Sequence, residues 1–250
     1  MLKNLGLFML GAILIHAVML IGACLILRKK FDNVTARIST IATTFANSAF
    51  FGIPILEAIY PGVSDDLIIY TVVFAVVMNV IGWTIGSAII SQNIKYVAFK
   101  KIFTNPALIG AAVAMILFVT EAPITQAQTL FSLITTTAKM STPISMMVMG
   151  MRLASMKLSD VFGDYRVYLT VAVKQFAMPL VAFLMVVFLP ISADVKTTFF
   201  IISSCPIASS VLNYSELAGL GQKQAACLVL LGTILCVVTL PVMMLLLPLL

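Results

Sequence analysis

From Leu5 to Leu27 the chain runs twenty-three residues without a charged side chain. A helix needs about 20 apolar residues to cross a bilayer. Comparable runs recur along the rest of the sequence. We place eight, at about Leu5–Leu27, Ser39–Tyr60, Leu67–Ser91, Asn105–Thr120, Gln126–Met151, Tyr165–Leu189, Thr197–Gly219 and Lys223–Leu250. With 62% hydrophobic and 10% charged residues and a mean hydropathy of +1.15, a chain of 250 residues cannot clothe a water-facing surface. The expected fold is all-α: a polytopic membrane protein of eight transmembrane helices, with the lipid bilayer as its first partner.

The same composition removes other classes. Cys24, Cys205, Cys227 and Cys236 sit in apolar runs without CxxC spacing, so they read as small core residues. A single histidine, His16, leaves no room for a histidine-rich metal site. There is no P-loop, no HExxH and no dinucleotide fingerprint. We therefore expect no enzyme, no metal and no cofactor. The basic start of "MLKNLGLFMLGAILIHAVMLIGAC" resembles a signal peptide, but the apolar run continues past Cys24 and ends in "RKK", which fits a retained span.

The net charge of +6 reads as topology, with no nucleic acid as partner. With the loop after the first span placed in the cytoplasm, one side holds Arg28, Lys29, Lys30, Arg37, Lys95, Lys100, Lys101, Arg152, Lys157, Arg166 and Lys223. The other side holds only Lys3 and Lys196, together with the acidic Asp65, Asp66, Glu121 and Asp194. The positive-inside rule then puts both termini outside. "NVT" at Asn33 matches a glycosylation acceptor but falls in a basic loop assigned to the cytoplasm.

Two spans are interrupted. "FANSAFFGIPILEAIYPG", Phe45 to Gly62, carries Gly52 and Pro54. "ISSCPIASSVLNYSELAGLG", Ile202 to Gly221, carries Pro206 among four serines. Proline lacks the backbone donor and its ring collides with the carbonyl four residues back. Breaks are expected near Pro54 and Pro206. In both segments a Glu follows (Glu57, Glu216), then a Gly five residues on (Gly62, Gly221), then a long apolar helix. The two run in opposite directions, as in an inverted repeat. We expect a first repeat of three helices at 1–91 and a second of five at 104–250. A complete repeat would be five plus five, so two N-terminal helices are expected to lack a counterpart. Irregular backbone at membrane depth is tolerated where it lines a cavity. The two broken helices are expected to cross there and bind a solute.

These residues resemble a known family. "ANSAFFGIPILEAIYPG" is similar to the crossover-helix motif of the auxin efflux carrier family, which includes bacterial malate and malonate permeases. "NPALIG" at Asn105 to Gly110 and "TPISMMVMGMRLA" at Thr142 to Ala154 resemble the opening of its second repeat and the following helix. "CPIASSVLNYSELAGLGQKQAACLVLLGTILCVVTLP" resembles its last two helices. The resemblance implies ten helices in two inverted repeats, with the eight here matching the third through tenth. It implies a secondary transporter in a cell membrane, a bacterial plasma membrane for this branch. The cargo would be a small organic anion, a dicarboxylate or an auxin-like weak acid, moved by alternating access. It leaves room for proton or sodium coupling and for a homodimer. Two alternatives stay open: a sodium-coupled symporter of similar architecture, and a non-transporting sensor or assembly protein.

The candidate substrate-binding residues are Asn47, Ser48, Gly52, Pro54, Ser204, Pro206, Ser209, Asn213, Lys139 and Lys174. Asn47 and Ser48 can hydrogen-bond a carboxylate, and Asn213 is the counterpart of Asn47 in the second repeat. Lys139 and Lys174 fall inside spans, where a charge marks function by default. Lys174 lies about 13 Å along the helix from its start. Either lysine can attract an anion, or pair with carboxylates or carbonyls within the bundle. His16, Glu57 and Glu216 are candidates for ion coupling, weighed against a satisfied core histidine and solvated helix-end carboxylates.

Overall fold

The computed structural model describes residues 2–59, 65–93, 106–120, 128–154 and 163–250. The loop charges Lys95, Lys100, Lys101, Glu121 and Lys157 lie outside them. Among the described residues the chain is helical and contains no strand. Among the described residues, four stretches are long and apolar enough to cross a membrane: Asn4–Lys30, Leu67–Ser91, Tyr165–Val187 and Gln222–Leu249. They coincide with four of the runs read from sequence. Their outer faces carry large apolar side chains such as Ile26, Leu184, Val237 and Leu245, each more than half exposed. Lipid solvates such a surface, and water does not.

The elements in chain order are α1 (Leu2–Leu27), α2 (Val34–Ala42), α3 (Ile53–Ile59), α4 (Asp65–Ile81), α5 (Ser87–Ser91), α6 (Pro106–Val119) and α7 (Gln128–Ala154). They continue as α8 (Tyr165–Ala172), α9 (Met178–Val187), α10 (Ala193–Ser204), α11 (Ser210–Ala218) and α12 (Gln222–Met244). Pro143 lies inside α7. Asn33 is a helix cap: its Oδ1 accepts the Thr35 N–H at 2.8 Å and starts α2. Arg37, read as a loop charge, is instead buried on α2, and its Nη1 donates to the Ile90 carbonyl at 2.6 Å.

Among the described residues, three π-helical turns interrupt the ladders, at Ser48–Gly52, Gly82–Gly86 and Val173–Ala177. Two of them stand directly before a proline. Pro54 would have bonded to Phe50, and Pro179 to Gln175, and both of those residues lie in the preceding π turn. The wider turn absorbs the missing donor and the ring, so the helix continues through the proline. This corrects the expectation of a break at Pro54. The first interruption lies upstream, where α2 ends at Ala42 and helix resumes at Ser48. The second does contain its proline: α10 ends at Ser204 and α11 begins at Ser210.

The two interruptions meet. Ala46 and Ile207 form an isolated antiparallel bridge. The Asn47 N–H donates to the Pro206 carbonyl at 2.8 Å, and the Ala208 N–H to the Phe45 carbonyl at 3.0 Å. Each break thus supplies backbone partners the other lost. Phe45 and Ile207 enter a core built with α11 and α12, while Ala46 and Cys205 enter a second core with α1, α4, α9 and α10. The crossing point joins the two halves of the buried interior.

Candidate functional site

Against the crossing lies a cavity of about 370 Å³. Its polar wall comes from the two interruptions: Asn47 and Ser48 on one side, Ser209, Ser210 and Asn213 on the other, with Asn79 of α4 between them. The apolar wall includes Phe50, Val72, Val76, Met78 and Trp83. No charged side chain lines it among the described residues.

Two half-helices start at this cavity. The helix from Ser48 first bonds back at Phe51, whose N–H donates to the Asn47 carbonyl at 3.2 Å. The helix from Ser210 starts with Val211 donating to Ala208 and Leu212 to Ser209, both at 3.1 Å. Neither Asn47 nor Ser209 caps its helix with its side chain. The opening N–H groups of a helix lack intrahelical acceptors and carry its positive dipole end. The Ser48 hydroxyl is buried and has no hydrogen-bond partner among the described residues. The arrangement offers amides, hydroxyls and two dipole ends, a set that suits a small carboxylate.

Four of the ten sequence candidates line this cavity: Asn47, Ser48, Ser209 and Asn213. The others take other places. Gly52 is buried at the end of its π turn, where a Cβ would sit 3.6 Å from Cys205 Sγ. Pro54 lies in α3, and Pro206 gives its carbonyl to Asn47. Ser204 donates to the Phe200 carbonyl at 2.8 Å, within its own helix. Lys139 is exposed on α7. Sequence reasoning overlooked Asn79, Ser210 and Trp83. The first had a legible signal, an amide alone in the apolar run "VVMNVIGW".

Lys174 sits in the π turn Val173–Ala177 and is fully buried. Its Nζ donates to the Ser203 carbonyl at 3.1 Å and the Cys205 carbonyl at 2.9 Å. These carbonyls end α10, where the dipole is negative and Pro206 has stopped the ladder. Of the two sequence readings of this lysine, the geometry matches pairing with carbonyls within the bundle. His16 is also buried; its Nδ1 donates to the Ala12 carbonyl at 2.6 Å, and its ring lies against Phe45 and Phe74. Its Nε2 has no partner among the described residues. Glu57 and Glu216 are exposed on α3 and α11 and do not line the cavity.

Tyr214 anchors the wall. It is fully buried, packs edge-on against Trp83 with ring centroids 5.0 Å apart, and contacts Phe45 at 6.0 Å. It fills the space over Gly82 that a Cβ there would occupy.

Long apolar helices, together with two interrupted helices that exchange backbone hydrogen bonds around a polar cavity, define an integral membrane protein. The family model described as membrane transport protein matches residues 90–244, more than half of the chain. The chain belongs to that family, the auxin efflux carrier family of membrane transporters. The match includes Pro206, Ser209, Asn213 and Lys174, while Asn47 and Ser48 lie before it. No curated protein is similar enough to count as a match.

Proposed function

We propose that the chain is a secondary transporter that moves a small organic anion, such as a dicarboxylate or an auxin-like weak acid, by alternating access around the crossed interruptions. The observation that carries this reading is the cavity at the crossing. Asn47, at the N-cap of the helix that opens at Ser48, and Asn213, in the first turn of α11, line one cavity that carries no charged side chain among the described residues. A carboxylate there gains amide and hydroxyl donors and two dipole ends without a fixed counter-ion that would hold it too tightly to release. In this reading the eight spans form an inverted repeat, with three helices in 1–91 and five in 104–250, in a cell membrane with both termini outside. A sodium-coupled mechanism would call on the carbonyls freed at the second break. Lys174 already donates to two of them, which favours coupling to protons or to membrane potential.

Uptake of labelled dicarboxylates into proteoliposomes tests the site. A hydrogen bond to a charged group contributes about 1.5–3 kcal/mol, so Asn47→Ala and Asn213→Ala should each weaken apparent affinity roughly 10- to 100-fold. Melting of the purified protein should change little, because both side chains line the cavity and neither makes a hydrogen bond among the described residues. Unchanged affinity in both variants would remove the cavity as the substrate site. Topology is tested separately. In a cysteine-free background Asp32→Cys should react with a membrane-impermeant maleimide only after the cells are opened; labelling of intact cells would reverse the orientation.

A further inference from the structure

A second cavity, of about 440 Å³, lies away from the crossing, between α1, α2 and α8. Its flank is apolar and faces outward: Ile26 is 79% exposed and Leu169 61%, with Leu27 and Val173 beside them. Its mouth holds Lys30, Arg166 and Asp32. Several of the polar groups lining it are already committed. The Thr170 hydroxyl bonds Ser39 Oγ at 3.0 Å and the Arg166 carbonyl at 2.7 Å, and Asn33 Oδ1 holds the Thr35 N–H. A ligand therefore meets charge only at the mouth and hydrocarbon along the flank.

We propose that this groove binds an anionic phospholipid from the leaflet on the basic side of the protein. The phosphate would lie between Lys30 and Arg166, and one acyl chain along Ile26, Leu27, Leu169 and Val173. The amphipathic shape calls for a headgroup and a chain in one molecule. The sign of the charge selects the headgroup. Asp32 shares the mouth, and Asp164 caps α8 next to it by accepting the Arg166 N–H at 2.9 Å. Against these two acids stand Lys30 and Arg166, with Arg28 and Lys29 in the turn that leads to the mouth. The balance is positive, and juxtamembrane basic clusters attract acidic lipids. The inference rests on the membrane reading of the fold and is independent of what the crossing transports.

The test uses the full chain, purified in mild detergent and offered equal amounts of phosphatidylglycerol, phosphatidylethanolamine and phosphatidylcholine. Retained lipid is counted by native mass spectrometry. Phosphatidylglycerol should be retained over the other two by about 25-fold, about fivefold for each of Lys30 and Arg166. The Lys30→Gln/Arg166→Gln double variant should lose that preference by about fivefold for each basic residue removed. Its lipid-free melting should match the parent, since both side chains are exposed. Inorganic phosphate and a soluble dicarboxylate, each in excess, should fail to displace the lipid. Equal retention of the three lipids, preference for the ethanolamine headgroup, or an unaltered preference in the double variant would overturn the proposal. Displacement by either soluble anion would reassign the groove to a free anion and overturn it as well.

Discussion

Lys174→Met should lower the unfolding midpoint of the detergent-solubilised protein sharply and reduce uptake in the same proportion. The lysine holds the Ser203 and Cys205 carbonyls, and no other donor reaches either among the hydrogen bonds of the described residues. Methionine fills a similar volume but donates nothing. Each buried carbonyl left unpaired costs about 1–3 kcal/mol. Removing a buried ammonium returns part of that, because a charge in the membrane interior is itself costly. The expected net loss is about 2–4 kcal/mol, a large share of the stability of most folds. Lys174→Gln retains an amide donor and should fall between the two. The readout that separates roles is the ratio of uptake to folded protein. A lysine that holds the break lowers both together; a lysine that binds the solute would lower uptake far more than melting. Lys139→Gln is the control: its side chain is exposed, and melting should stay within about 0.5 kcal/mol.

Gly82→Ala should destabilise the protein by about 3 kcal/mol, at the upper end of overpacking costs. The added methyl would overlap the Tyr214 hydroxyl and the edge of its ring, with Cε2 only 2.7 Å from the new Cβ. The ring has nowhere to retreat, because Trp83 and Phe45 hold it from other sides. Tyr214→Phe removes the hydroxyl but leaves the ring carbons in place, so it should relieve only part of the strain. Tyr214→Leu clears the ring and should recover more, measured as strong non-additivity in a double-mutant cycle on chemical unfolding in detergent. Additive losses would mean that the π turn at Gly82–Gly86 shifts to make room. Trp83 and Tyr214 brace the cavity wall, so transport should suffer in Gly82→Ala even where protein remains folded.

The apolar runs, the long helices and the membrane setting were legible in the sequence because they depend on local chemistry. In lipid a backbone N–H has no water to turn to, so a run of about 20 apolar residues must satisfy itself as a helix. Asn47, Ser48, Ser209 and Asn213 were legible for the same reason: polar groups clustered beside an interruption have few uses at that depth. The placing of the first break was not. Pro54 is a local signal, but a π turn one step upstream absorbs it, and the ladder instead opens at Thr43–Asn47. The cause lies far along the chain, where the second interruption supplies the carbonyl of Pro206 and the N–H of Ala208.

Lys174 marks the same boundary. Its charge and its depth were plain from the residues around it, but its partners lie 29 and 31 residues further along and become neighbours only when the π turn Val173–Ala177 packs against the end of α10. Asn79 joins the site in the same way, from a helix whose own sequence reads as an unbroken span. What the sequence by itself determined was where four long apolar helices lie and which polar groups interrupt the other runs. The tertiary structure alone decided how those groups pair. Two interrupted backbones can be stable in lipid only by satisfying each other, and hydrogen bonds between distant segments leave no periodic trace in either one.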